Sequence, residues 1–119
     1  MRILNFTIPN LKPLLLNGQK QQTIRGKQYW IDLFLSRKLD VGSFLQIWFN
    51  QRSKSGEYLF DAKITGWRLM LSLKAEEESL FLADGFASKE EALEWFQRVY
   101  GRVENLLLIK FKRVEEAPR

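Results

Sequence analysis

Neither cysteine nor histidine occurs among the 119 residues. Without them there are no disulfides, and the usual zinc sites and Ser-His or Cys-His catalysis are excluded. Any chemistry must rest on Lys, Asp, Glu, Tyr, Thr or Ser. A magnesium site built from carboxylates alone needs a tight acidic cluster. The one acidic run, Glu76-Glu77-Glu78, is consecutive and fans out around a helix as a solvated face. No metal and no other cofactor are expected. Long apolar runs are also missing: none approaches the roughly 18 residues needed to cross a bilayer. The N-terminal Met-Arg-Ile-Leu-Asn-Phe lacks the pattern of a signal peptide. The expectation is a soluble, cytoplasmic protein that does not engage membranes. The sequence carries no signal for its oligomeric state.

What remains is enough for one core. A 119-residue chain with 45% hydrophobic content makes a single domain, expected over residues 1–113 with a frayed tail at 114–119. The formal charge of +5 is unevenly spread. Residues 1–74 carry 12 Lys/Arg against 4 Asp/Glu, whereas residues 75–119 carry 7 against 10. The positive field therefore belongs to the first two thirds, and such a field attracts polyanions, nucleic acid first among them. Many soluble proteins are this basic without any such role.

Periodicity orders the chain. Residues 2–8 read as a strand, and Asn10 can cap a short helix from 11 to about 17, with Pro13 tolerated in its first turn. Gly18 ends the apolar run Leu14-Leu15-Leu16, and residues 19–25 read as extended. Tyr29, Trp30, Leu33 and Phe34 repeat at helical spacing within 28–38. A strand is expected at 43–50, then a polar connection ending Lys54-Ser55-Gly56. A long strand follows at 58–72, with a bulge or bend at Gly66. Residues 72–83 read as a short acidic helix. Ser88-x-x-Glu91 is a capping box that opens a helix with the stripe Ala92, Leu93, Phe96, Val99 and Tyr100, and Gly101 stops it. The last strand, 104–113, has Leu107, Ile109 and Phe111 on one face and Lys110 and Lys112 on the other. Mostly antiparallel strands with interspersed helices give an α+β fold, a small barrel or strongly curved sheet with helices on its flank and mouth.

The chemistry concentrates in Gly18-Gln19-Lys20-Gln21-Gln22-Thr23-Ile24-Arg25. A turn glycine, an ammonium, a hydroxyl and a guanidinium fall within eight residues. Thr23 and Arg25 share one face of an extended segment, while Lys20 falls on the other unless the turn after Gly18 re-aims it. Such a set suits a phosphate, a carboxylate or the polar edge of a base. Each residue also has an ordinary reading: Lys20 as a surface lysine, Thr23 as a good strand former, Arg25 as a partner pinning Asp84. Asp84 itself can be a helix-end residue beside Gly85. Phe44, Phe60, Phe96 and Phe111 are expected in the core. Trp30, Trp48, Trp67 and Tyr100 are either packing or a flat surface on which a base stacks. Arg52, Lys54, Lys110 and Lys112 could track a phosphate backbone, or serve only solubility, and Lys27 adds positive charge near Lys20.

The pattern Gly18-x-Lys20-x-x-Thr23-x-Arg25 resembles the signature of the ASCH domains, small modules related to the PUA domains of RNA-modifying proteins. Further along, the Gly42-centred turn, Asp84-Gly85-Phe86, a capped helix with Trp95-Phe96 ending Tyr100-Gly101, and a closing strand with lysines follow in that family's order. The resemblance implies a PUA-like β-barrel whose basic mouth accepts RNA or a nucleoside. The motif residues it implies there are Gly18, Lys20, Thr23 and Arg25, to which the charge and ring readings above add Lys27, Trp30, Arg52, Tyr100 and Lys110 as expected binding residues. Small enzymatic members look like amidohydrolases that remove an acyl group from the exocyclic amine of cytidine with a lysine, a threonine and a glutamate. Matched here, these are Lys20, Thr23 and Asp84, the last one methylene shorter. Two departures stand out. Ser43 follows Gly42 where an acid is common, and Asp84 replaces the longer glutamate. RNA cleavage is a weaker enzymatic alternative. A protein-interaction role would rest only on the acidic segment 72–100.

Overall fold

A computed structural model describes residues 1–115. The expected tail lies outside them from residue 116 onward, and Val114 still belongs to the last strand. In chain order the elements are β1 (Arg2–Phe6), α1 (Leu11–Leu16), β2 (Gln22–Arg25), α2 (Gln28–Leu35), β3 (Phe44–Phe49), β4 (Glu57–Ser72), α3 (Glu78–Ala83), α4 (Lys89–Tyr100) and β5 (Glu104–Val114). The strands form one five-stranded sheet in the order β1-β3-β4-β5-β2, curled into a half-barrel. Only β1 and β3 run parallel; the other pairings are antiparallel. The α+β class and its mostly antiparallel sheet agree with the small PUA-like barrel expected from sequence.

β4 is long enough to serve two neighbours. Phe60, Ala62 and Ile64 alternate into the core, and the pairing with β5 slips between Ile64 and Gly66. That slip is the bulge expected at Gly66, and it lets one strand bend around the barrel corner. β5 is buried on both faces over its middle. Leu107, Ile109 and Phe111 join the larger core with α2, β1, β3 and β4. Leu106 and Leu108 join a second core with Ile24, Met70, Phe81, Ala92 and Phe96. The alternation expected for β5 therefore holds only from Lys110 onward; before it, helices cover the second face.

Local corrections have identifiable causes. Asn10 sits at the start of α1 in a helical conformation and makes no side-chain cap. The first turn is held instead by Leu11 N–H to Ile8 O and Lys12 N–H to Pro9 O, at 3.0 and 3.2 Å. Residues 72–83 are not one helix. A 3₁₀ turn, Leu73–Ala75, is followed by an extended Glu76-Glu77 before α3 begins. Leu73 is held into the second core by its N–H to Val103 O at 2.8 Å. Lys89 Nζ donates to the carbonyls of Lys74 and Glu76 at 2.7 and 2.6 Å, taking up the oxygens that a continuous helix would have used. Ser88 caps α4 as expected, its Oγ accepting from Glu91 N–H at 3.1 Å. Ala92 and Phe96 are buried on α4, but Val99 is exposed. Phe44 is half-buried, and Asp61 is buried, accepting from the Tyr58 hydroxyl at 2.8 Å.

Candidate functional site

The sheet does not close on itself. β1 and β2 are its two edges, and the gap between them, covered by α4 and the turn Asp84-Gly85-Phe86 after α3, is a cavity of about 470 Å³. Its lining includes Asn5, Phe6, Lys20, Thr23, Arg25, Asp84, Glu91 and Tyr100.

Local geometry brings the motif into this gap. Gly18 takes φ +81°, the left-handed turn that glycine adopts without a Cβ penalty. The chain then doubles back, and Lys20 N–H donates to Leu14 O at 2.9 Å. Because β2 starts only at Gln22, strand alternation does not govern Lys20, whose side chain turns inward. Lys20 is 2% exposed, and its ammonium donates to Asp84 twice, to the backbone oxygen at 2.6 Å and to Oδ1 at 3.0 Å. It also lies over the Phe6 ring, 5.6 Å from the centroid.

Asp84 is delivered by the end of α3. Gly85 follows it with φ +103°, and a Cβ there would stand 2.7 Å from Leu11 Cδ2, so the turn presses against α1 as only glycine permits. Burial pushes the Asp84 carboxyl above its ordinary range, against the pull of Lys20. Desolvation likewise pushes the Lys20 amine down, opposed by Asp84. Gln22, whose Nε2 donates to Leu80 O at 2.9 Å, also hydrogen-bonds the Asp84 carboxylate.

Arg25 spans the gap between the sheet edges. Its Nε donates to Thr23 Oγ1 at 3.0 Å on its own strand, and Nη2 donates to Asn5 O of β1 at 2.9 Å. The guanidinium stacks on Phe6 at 4.8 Å. Burial lowers its pKa from the ordinary arginine value. Opposite these groups, Phe86, Trp95, Phe96 and Tyr100 form a cluster of rings with centroids 4.9 to 6.2 Å apart.

Of the residues expected at the mouth, Lys20, Thr23, Arg25, Asp84 and Tyr100 line the cavity, and Gly18 shapes the turn that aims Lys20. Lys27, Trp30, Arg52 and Lys110 do not line it. Trp30 is buried in the larger core, together with Ile31, Leu33 and Phe34 of α2. Lys27 is exposed at the start of α2, Arg52 lies in the β3–β4 connection, and Lys110 is exposed opposite Gln22. Asn5, Phe6, Gln22 and Glu91 were missed as site residues. Gln22 sat inside the motif as a visible signal; Phe6 read only as a core strand residue. A second hollow of about 420 Å³ between Gly26, Leu35, Leu69 and Arg102 holds none of the proposed catalytic side chains.

No family model matches the chain, and no curated protein does. Solved structures do share its fold. Protein EF3133 from Enterococcus faecalis V583, described under family DUF984, superposes with a TM-score of 0.63 at 18% identity, over 92% of this chain and 75% of that one. The hypothetical protein PH0355 gives 0.59 at 17% identity, over 96% of this chain and 100% of that one. Protein PF0455 from Pyrococcus furiosus gives 0.51 at 14% identity, over 96% and 99%. At such identities the likeness is one of fold alone.

Proposed function

We propose that the chain is an ASCH-like module whose cavity holds one unstacked nucleobase or nucleoside, free or at an exposed site in RNA. The observation that carries this reading is the meeting, in one cavity, of the Lys20–Asp84 pair, Thr23 and Arg25 with a wall of aromatic rings. A volume of about 470 Å³ falls within the roughly 300–1,000 Å³ typical of small-molecule sites. The rings offer a stacking surface, and the Thr23 hydroxyl and Tyr100 supply polar groups for a base edge. Exposed Lys and Arg side chains outside the cavity would then carry the salt-dependent part of any RNA affinity. Calorimetric titration with nucleosides and with short single-stranded RNA tests this. Trp95→Ala is expected to weaken binding by about 1–3 kcal/mol, the worth of one stacked base. Absence of binding by either ligand class would end the reading.

A second reading is hydrolysis of an acylated nucleoside amine, and the opposed shifts of Lys20 and Asp84 favour it. Burial disfavours both charges, so moving the proton from Lys20 to Asp84 leaves a neutral amine and a carboxylic acid in contact. The amine then takes a proton from water as its oxygen bonds to the acyl carbon. Asp84 gives its proton to the nitrogen as the C–N bond breaks, releasing a carboxylic acid and the free amine. Turnover of acylated cytidines, lost in Lys20→Ala and altered in Asp84→Glu, is the expected result. An inert wild-type enzyme at high concentration would remove this version and leave the binding module.

A further inference from the structure

Two cations and two anions line the cavity: Lys20, Arg25, Asp84 and Glu91. Its formal charge is therefore zero, although the first two thirds of the chain is strongly basic. Lys20 is consumed by Asp84, and Arg25 is engaged by Thr23 and Asn5. Glu91 is different. It stands in the first turn of α4, its backbone N–H given to Ser88, and among the described residues its carboxylate has no hydrogen-bond or ion-pair partner. Glu91 thus lines the same cavity as Arg25 with its carboxylate uncommitted. We propose that Glu91 is a specificity-determining residue, which makes the cavity select an uncharged nucleoside over the corresponding 5′-monophosphate.

The inference rests on the nucleoside reading above and adds its charge class. A phosphate dianion entering the cavity gains the remaining face of Arg25, but Glu91 offsets that charge and the paired Lys20 and Asp84 add none. A neutral base meets no such repulsion, and its N–H groups can donate to the Glu91 carboxylate. Because Glu91 is exposed, the repulsion is screened and is strongest at low ionic strength.

Calorimetry with the four common ribonucleosides and their 5′-monophosphates, on the intact chain at low ionic strength, tests this. A nucleoside that binds is expected to do so about tenfold more tightly than its monophosphate, the size of one repulsive contact in a partly hydrated site. Glu91→Gln should narrow that gap to about threefold or less by strengthening the monophosphate. Glu90→Gln changes the net charge equally one residue away, where the side chain does not line the cavity, and should leave the gap in place. Equal binding of the two forms, or an unchanged gap in Glu91→Gln, overturns the role of Glu91 and leaves the nucleoside reading standing. Failure of every nucleoside and monophosphate to bind overturns this inference and the free-nucleoside form of the reading on which it rests.

Discussion

Lys20 reaches across 64 positions of sequence to donate twice to Asp84, at 2.6 Å to its carbonyl and 3.0 Å to its carboxylate, with both side chains buried. This pair ties the turn after α1 to the end of α3, so the groups proposed for chemistry also hold the cavity together. Removing one partner strands the other charge in a dry site. Lys20→Met or Asp84→Asn should each cost about 3–5 kcal/mol in urea unfolding. Lys20→Met combined with Asp84→Asn should cost clearly less than the two single changes added together, because neither charge is then left alone. Strict additivity would show that the pair is not coupled. A Lys20→Ala variant that has lost activity therefore needs a folding control before the loss is read as chemical.

Arg25 serves the fold in another way. With the sheet open between β1 and β2, its bonds to Thr23 Oγ1 and Asn5 O form a side-chain bridge across the gap. Lysine cannot reproduce a planar fork that bonds in two directions while stacking on Phe6. Arg25→Lys should lower stability by about 1–3 kcal/mol, as expected for lost charge-assisted bonds. It should also raise amide exchange in β1 and β2 more than in β4. Uniform exchange throughout the sheet would contradict the bridging role.

The acid limb of the stability profile should carry the mark of Asp40. Its carboxylate accepts from Trp67 Nε1 at 2.9 Å, from Arg37 at 2.7 Å and from Val41 N–H at 2.8 Å. Chiefly through the Trp67 bond, these hold its pKa down to about 2. A carboxylate depressed in the folded state lends stability that is complete above its unfolded value of about 3.9. That stability is lost as pH falls through about 2. The gap between wild type and Asp40→Asn should thus be widest above about pH 4 and shrink below it. A gap independent of pH would exclude this assignment.

Much of this architecture is written in local pattern. The Ser88 cap, the bulge at Gly66 and the apolar alternation of Phe60, Ala62 and Ile64 are short-range signals, and each appears where its residues stand. The structure also brings Lys20, Thr23 and Arg25 of the motif into one cavity with Asp84. What stayed hidden depends on distant contacts. Trp30 has the same flat ring as Trp95, and only the packing of α2 into the barrel decides that one is core while the other meets the cavity. Residues 72–83 have helical composition, yet the bonds from Leu73 to Val103 and from Lys89 to the freed carbonyls split them. Glu91 was legible as part of a helix cap, but nothing in the sequence marked it as lining the cavity.

The aromatic wall can be tested through a residue that does not belong to it. Gly26 follows β2, and a Cβ there would stand 2.7 Å from both Leu106 Cδ2 and Tyr100 Cδ1. At Gly66 the nearest atoms to an added Cβ are in the flexible Lys110 side chain, at 3.9 Å. Gly26→Ala should therefore cost about 1–3 kcal/mol by overpacking, with Gly66→Ala costing less. Because the Tyr100 ring must move to make room, Gly26→Ala should also weaken nucleoside binding and change the near-ultraviolet dichroism of the ring cluster. Thermal unfolding, titration and the aromatic spectrum check these together. A destabilised Gly26→Ala protein with unchanged affinity and an unchanged spectrum would mean that Leu106 alone absorbs the clash and that the position of Tyr100 does not matter to the ligand.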